Sequence, residues 1–274
     1  MEDGERLFRL AGGYSELVAE LAQGVDQNLV DVHTGVVVTD LRWRRHEVRV
    51  EVRTDEAGTA EYLAPQAVVT LPLSVLKAHP DSEGSVRFDP EPSGWRDAFG
   101  SLEMGAAHRV VLVFDTAWWL ERSRRGPTFI HGEDEAFPVW WNASPAEVPL
   151  LTGWAGGPGG AALAGLPHDQ IVALALSSAA SIFGRSVEAL GRKLRAAYSH
   201  DWSTDPFARG GYSYGGIGAS TARKALIRPV ENTLFLAGEA VALKGRNATV
   251  HGAIDSGLRA ADDLLSDKLA SSGR

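Results

Sequence analysis

From Asn232 to Leu265 the chain reads NTLFLAGEAVALKGRNATVHGAIDSGLRAADDLL, and this stretch decides how the rest is read. Leu234-Phe235-Leu236-Ala237 is a short apolar run that predicts a buried strand. Gly238 permits a tight turn and close approach of backbone to a ligand. Glu239 follows at the strand's carboxyl end, where open α/β sheets place ligands. A helix is expected from about Thr249. Val250, Ala253, Ile254, Gly257, Leu258, Ala261 and Leu265 form its expected apolar face, with Gly252 and Gly257 letting it approach a sheet closely. The helix start offers free backbone N–H groups and the positive end of a dipole, which suits an electron-rich group. Taken alone, the unit has two readings, plain α/β architecture or one end of a ligand site. His251 likewise reads as a structural histidine or a functional one.

Working outward, Tyr14, Leu17, Val18, Leu21 and Ala22 recur at helical spacing after Gly12-Gly13. Leu29–Val32, Gly35–Leu41 and Val48–Arg53 read as strands, the last with Val48, Val50 and Val52 on one face. Asp55-Glu56-Ala57-Gly58 reads as a turn. Ala67–Leu71, stopped by Pro72, suits a strand buried on both faces. After a Pro/Gly-rich passage from His79 to Gly100, Arg109–Phe114 is a strong strand. Trp118-Trp119, Phe137–Trp141 and Leu150–Trp154 add aromatic strands or strand ends. Gly153–Gly165 is expected to be a loop, and Pro167 to open a helix closed by Gly184. Leu194–Trp202 reads as another strand, and Asp205-Pro206 as a break. Strands, an inserted aromatic-rich region, then a strand and a helix predict two intertwined domains, the second inserted in the first.

Composition narrows the function classes. With 274 residues, 44% hydrophobic and 23% charged, the chain is globular and long enough for one large or two modest domains. Its net charge of -8 argues against a nucleic-acid partner, and Arg42-Trp43-Arg44-Arg45 reads as a solvated strand end. The absence of cysteine excludes disulfides, thiolate metal sites and thioether-linked cofactors. No apolar run reaches the roughly 20 residues of a membrane span, and Met1–Leu10 lacks the apolar core of a signal peptide. The expectation is a cytoplasmic protein with no membrane partner. The eight histidines are scattered without metalloprotease spacing.

Four blocks in order carry a resemblance. They are Gly12-Gly13-Tyr14 with the helix after it; Val68-Val69-Thr70-Leu71-Pro72-Leu73-Ser74-Val75-Leu76; Asp201-Trp202 through Gly210-Gly211-Tyr212-Ser213-Tyr214; and Leu236-Ala237-Gly238-Glu239 with Ala248–Leu258. Together they resemble the C-terminal part of the flavin-dependent amine oxidases, the superfamily of monoamine oxidases, polyamine oxidases and lysine-specific histone demethylases. The resemblance implies an α/β (mixed α+β) fold, a partial FAD-binding, Rossmann-like three-layer domain with an inserted mixed-sheet substrate domain. It assigns 1–100 and 209–274 to the FAD domain and 101–208 to the substrate domain. It also implies a site: Val36 toward the adenine, Thr70, Leu71 and Pro72 near the flavin, Gly238 and Glu239 by the pyrophosphate and ribityl chain, Thr249 and Val250 presenting the helix start to the isoalloxazine ring. Trp202 and Tyr212 would form an aromatic wall beside it.

This chain departs from the family pattern in three places. Where some monoamine oxidases attach FAD through a cysteine beside the wall tyrosine, Gly211 stands here, so FAD is expected to be noncovalent. Where the family often has a lysine holding a water near flavin N5, Arg109 stands, a catalytic candidate with a larger, planar head. And no strand–GxGxxG–helix fingerprint is found in the first 30 residues. The expected function is oxidation of a small-molecule amine to an imine, with hydride transfer to the flavin and reoxidation by oxygen to peroxide. It would need an N-terminal FAD-binding half, on a separate chain or otherwise supplied. A catalytically inactive truncated remnant or interaction module, and an FAD-dependent oxidase or desaturase of a non-amine substrate on the same fold, are the alternatives.

Overall fold

A computed structural model describes residues 10, 12–54, 58–120 and 129–272, with side chains of the last helix described to 266. Residues 1–9 and the expected turn residues 55–57 lie outside the described residues. Helix α1, Tyr14–Gln23, forms as its spacing predicts, yet Tyr14, Val18 and Leu21 are all exposed. Leu29–Val32 does not form a strand. Asp26 folds the segment into turns instead, its carboxylate accepting from Asn28 N–H at 2.9 Å and its carbonyl from Leu29 and Val30 N–H. Strands β1, Val36–Arg44, and β2, Glu47–Thr54, pair as a hairpin, with Val48 and Val52 facing the core as their alternation requires. An exposed edge strand β3, Gly58–Ala64, joins them; its mixed residues GTAEYLA gave no strand signal.

Strand β4, Ala67–Val69, is shorter than expected and buried on one face only, Val68 being 40% exposed. It has a single partner strand, and no described element covers the Val68 side. Pro72 ends the segment and precedes helix α2, Leu73–Leu76. Strand β5, Arg87–Asp89, pairs parallel to β1. Helix α3, Trp95–Phe99, and strand β6, Leu102–Gly105, complete the first part.

Strand β7, Ala107–Phe114, lies between β11, Leu194–Ser199, and β10, Leu150–Gly156, in a five-stranded sheet of order β11-β7-β10-β9-β8, with β8 at Ile130–His131 and β9 at Val139–Asn142. Trp118-Trp119 form a buried 3-10 turn, not a strand. The expected loop 153–165 is a strand end followed by helix α4, Gly157–Ala162. Its glycines are packing residues: a Cβ on Gly160 would lie 2.8 Å from Ala155 O, and one on Gly153 2.8 Å from the Trp140 ring. Helix α5, His168–Phe183, begins after Pro167 and ends at Gly184 in the left-handed conformation (φ 61°). Helix α6, Val187–Lys193, capped by Ser186, was hidden in the sequence by its shortness. Strand β11, Leu194–Ser199, stops three residues before Trp202.

The chain then returns to the first part. Strand β12, Tyr212–Gly215, pairs with β6, helix α7 spans Ala219–Leu226, and strand β13, Leu234–Leu236, lies parallel to β4. Helix α8 runs Val250–Ser272. Two cores result. One joins Leu41, Val69, Leu73, Trp95 and Leu102 to Leu226, Leu234 and Leu236. The other gathers Val110, Leu112, Phe114, Trp140, Leu151, Ile171 and Leu190 between the five-stranded sheet and α5. Among the described residues no single helix is long and apolar enough to cross a membrane.

The large apolar face expected for α8 is not the packed one. Val250, Ile254, Leu258 and Leu265 are 49%, 39%, 62% and 56% exposed, while Gly252, Ser256 and Ala260 are buried. Small residues four apart let the helix lie close against β13 and its loop. Gly252 serves this approach, since a Cβ there would overlap Arg246 O. Gly257 does not, for a Cβ there meets nothing within 4 Å.

Candidate functional site

Parallel pairing of β4 with β13 builds the site. The register sets Val69 opposite Leu236, and Ala237 N–H donates to Val69 O at 3.0 Å. Thr70-Leu71-Pro72 and Gly238-Glu239 therefore leave the carboxyl ends of adjacent strands side by side, although 166 residues of chain separate Thr70 from Leu236. A cavity of about 450 Å³ opens there. Its walls come from Thr70–Leu73, from Leu236–Val241, from Trp202, Ala208, Gly210 and Gly211, and from Phe99, Met104 and Ala253. Gly238 adopts φ 122°, a conformation that disfavours a side chain, and a Cβ there would meet only Thr70 O at 3.9 Å.

Side chains that the sequence reading passed over hold this geometry. The Ser256 hydroxyl accepts from Gly238 N–H at 2.8 Å and lies 2.9 Å from Gly238 O and 2.8 Å from Ala253 O, one of which takes its proton. Arg259 donates to Leu236 O at 2.7 Å and Ile227 O at 3.0 Å, and burial pulls its pKa down despite Asp263. Glu239 does not extend its carboxylate as a free ligand. Oε1 accepts from Ser213 N–H at 3.0 Å, and Oε2 from the Ser213 hydroxyl at 2.7 Å and Ala248 N–H at 2.7 Å. It thus ties β12 and the entry of α8 to the end of β13. Arg223, its pKa lowered by burial and partly restored by Glu239, donates to Ala240 O at 2.9 Å. Thr249 caps α8: its hydroxyl accepts from Gly252 N–H at 3.1 Å and donates to Arg246 O at 2.6 Å.

The aromatic wall rests on a self-braced loop. Trp202 O accepts from Gly210 N–H at 2.7 Å, and the His200 ring packs edge-on against the Trp202 ring at 4.4 Å. His200 Nε2 meets Asp205 Oδ2 at 2.7 Å. The Phe207 N–H and His200 hold the Asp205 pKa below the usual carboxylate range. Burial pushes the Asp201 carboxyl up, but hydrogen bonds from Gly165, Ser203 and Thr204 outweigh it and leave the pKa lowered. Behind the loop, a second cavity of about 610 Å³ is lined by Gly35–Val38, Arg53, Leu71, Glu83, Gly84, Val86 and Phe207. Leu71 lines both cavities, and Arg209 fastens the loop by donating to Glu83 O.

Of the residues singled out from sequence, the structure brings Thr70, Leu71, Pro72, Trp202, Gly238 and Glu239 to the first cavity, and Val36 to the second. Tyr212 follows Gly211 but does not line the cavity; its ring lies over Gly105, where a Cβ would lie 3.3 Å from Cε2. Thr249 and Val250 begin α8 but do not line the cavity, which the helix reaches through Ala253. Arg109 lies outside it, exposed on β7.

Residues 1–265 match the model of the flavin containing amine oxidoreductases. The chain belongs to this family. Among curated relatives, lysine-specific histone demethylase 1 homolog 3 of Arabidopsis thaliana is 31% identical over 272 residues, covering 93% of this chain and 16% of that protein. Polyamine oxidase 4 of Oryza sativa subsp. japonica is 29% identical over 257 residues, covering 93% of this chain and 48% of the relative. Putrescine oxidase bound to putrescine shares the fold with a TM-score of 0.73 at 18% identity, over 93% of this chain and 53% of that one. The chain thus spans about half the length, or less, of these proteins, and has their mixed α/β fold. In this member of the family, Gly211 leaves little room for a side chain, because a Cβ would sit 2.7 Å from Ala107 Cβ.

Proposed function

We propose that this chain forms the flavin-ring end and much of the substrate domain of an FAD-dependent amine oxidase, with FAD bound noncovalently. The observation that carries the reading is the convergence of Thr70, Leu71, Pro72, Trp202, Gly238 and Glu239 on one cavity at the carboxyl ends of paired parallel strands. The residues present fit a flavin. About 450 Å³ is in the range of ligand cavities, the walls are mostly apolar, and a Cβ on Gly238 would stand in the space itself. The 610 Å³ cavity with Val36 suits the adenosine side. The two cores support a division into an FAD domain from about 1–100 and 209–274 and a substrate domain from 101–208.

When bound, the flavin supplies the acceptor for the hydride of the amine α-C–H and returns its electrons to oxygen as peroxide, leaving an imine that water hydrolyses. The chain's own residues orient and exclude water. Trp202, braced by His200, forms a wall against which the amine is positioned, and Tyr212 would extend it next to Gly211. The apolar lining from Leu71, Pro72, Leu73 and Met104 disfavours the charged ammonium and so favours the neutral amine. The start of α8, capped by Thr249 and begun by Val250, would add the positive end of its dipole from outside the lining, which the helix reaches only through Ala253. Glu239 acts through the backbone it holds.

The relatives extend well beyond the matched portion, and the exposed stripe of α8 is an apolar face suited to packing against such additional structure. Nothing favours a separate chain over a longer one as its source. The test is the visible spectrum of the purified chain, alone and with the remaining part of the fold restored by fusion or co-expression. A flavin absorbance retained through desalting and released by denaturation, bleached by amines and accompanied by peroxide, supports the reading. A restored protein without flavin overturns it.

A further inference from the structure

The five-stranded sheet has one face covered by α5 and one more open face, on which Arg109 and Tyr198 are exposed, Val111, Trp141 and Trp154 half-buried and Thr152 buried, and strand pairing fixes which residues share each. His108, Val110, Leu112 and Phe114 of β7 point into the core with α5. The opposite face carries Ala107, Arg109, Val111 and Val113. Residues directly opposite one another across a ladder share a face. Gly156, Trp154 and Thr152 pair with Ala107, Arg109 and Val111, Val139 and Trp141 of β9 with Trp154 and Thr152, and Tyr198 of β11 with Val111. Arg109 therefore stands opposite Trp154 and diagonal to Tyr198. Phe129 extends the aromatic run, its ring 5.8 Å from that of Trp141.

This face continues the cavity described above. The Trp154 ring lies over Gly156, whose partner Ala107 touches Gly211 at the cavity wall. One residue past the end of β11, His200 packs on Trp202. Along the paired strand positions of the face the residues are aromatic, aliphatic, Thr152, His131 and Arg109, and no carboxylate occurs. Arg109 has no hydrogen-bond or ion-pair partner among the described residues, in a chain of net charge -8 where acids pair arginines such as Arg42, Arg49 and Arg96. A cation of that kind is ill suited to being covered by an apolar helix, since burying it unpaired is costly. It is well suited to a planar, bidentate carboxylate.

We propose that the open sheet face is the substrate floor and that Arg109 is its specificity residue, selecting amines that carry a carboxylate on an aromatic body over diamines and polyamines. This rests on the cavity being the flavin site, to which the floor would deliver the amine nitrogen. Among the described residues a second ammonium group finds no acidic partner at the paired positions of this face, the Asp115 carboxylate just past β7 being taken by Lys193 and Arg195, and it meets the charge of Arg109.

The test titrates the tryptophan fluorescence of the full chain with 3-phenylpropionate, phenethylamine and spermidine, and so needs no flavin. The expected result is saturable quenching with 3-phenylpropionate binding about 10-fold or more tighter than phenethylamine, and spermidine weakest. Arg109→Gln is expected to collapse that ratio, Arg109→Lys to keep part of it, and Arg195→Gln, at the far end of the sheet beside Asp115, to leave it unchanged. Binding of spermidine or phenethylamine as tight as that of 3-phenylpropionate overturns the assignment. So does equal weakening of all three ligands in Arg109→Gln, or no saturation with 3-phenylpropionate. In the flavin-loaded, restored protein, phenylalanine should exceed phenethylamine in kcat/KM, with Arg109→Gln raising KM for phenylalanine selectively. Failure of the flavin reading would appear separately, as a protein that holds no flavin while the chain still discriminates the carboxylate.

Discussion

Two glycines of α8 that look alike in sequence separate at the level of single atoms. Alanine is a better helix former than glycine by about 1 kcal/mol. At Gly257 nothing opposes that gain, so Gly257→Ala should stabilise the chain by about 0.5–1 kcal/mol in urea unfolding. At Gly252 the new Cβ overlaps Arg246 O and comes within 3.0 Å of Ala242 Cβ, and because the first contact is backbone, a rotamer change cannot relieve it. Gly252→Ala should therefore destabilise by about 1–3 kcal/mol despite the propensity gain. Equal signs for the two variants would refute the close packing of the helix start. Glu239 teaches a similar lesson. Its place after the glycine was legible, but its carboxylate is occupied by Ser213 and Ala248, contacts made across 26 and 9 residues that no local pattern announces. Glu239→Gln replaces an acceptor by an N–H₂ that must face a donor, at a cost of about 1.5–3 kcal/mol. Ser213→Ala should cost less, since it removes only the hydroxyl contact.

At the scale of strands and helices, β7 was the most legible element and its inward histidine the least. His108 occupies a core position between Val110 and the sheet end, its ring edge-on to Phe137 at 6.2 Å. Burial lowers its pKa, His200 adds to this, and Asp201 opposes it. The folded chain thus binds this proton less readily than the unfolded one, whose histidine titrates near 6.5. Stability from this group is full above about pH 6.5 and falls as pH drops through that value toward the lower folded pKa. Chemical unfolding at pH 7 and pH 5 should show a loss that His108→Phe reduces; an unchanged pH dependence in the variant would refute it. Asp201 and Asp205, whose pKa values are lowered, act in a separate window, contributing above the unfolded carboxylate range and failing only in stronger acid. Periodicity located β1, β2, β7, α1, α5 and α8. It did not reveal which face of α8 packs, because the larger hydrophobic signal came from Val250, Ile254, Leu258 and Leu265, while the contact was encoded in the small residues Gly252, Ser256 and Ala260. The seven residues of α6 span too few turns for a 3.6-residue repeat to register, and β3, GTAEYLA, lacks the alternation of a strand.

For the molecule as a whole, the order of strands, an aromatic-rich region, then a strand and a helix predicted a first segment and a last segment enclosing an insertion, with Ala67–Leu71 and Leu234–Ala237 as strands of the enclosing part. Their parallel pairing followed only from the fold. What the whole leaves uncovered also follows only from the fold. Helix α1 presents Tyr14, Val18 and Leu21, and α8 presents Val250, Ile254, Leu258 and Leu265, all substantially exposed. Apolar side chains four apart on one helix face make a continuous stripe, and contiguous patches of this sort drive association in water. The chain by itself should accordingly show a sedimentation coefficient that rises with concentration. Ile254→Lys with Leu258→Glu breaks the stripe at its centre without touching the buried Gly252–Ser256–Ala260 face, so it should shift the chain toward monomer while leaving its unfolding midpoint nearly unchanged. A wild-type chain that stays monomeric at high concentration would mean that the stripe is covered by other parts of the molecule. Added sodium chloride sharpens the distinction, since association through an apolar stripe persists in salt, whereas association through surface charge is screened.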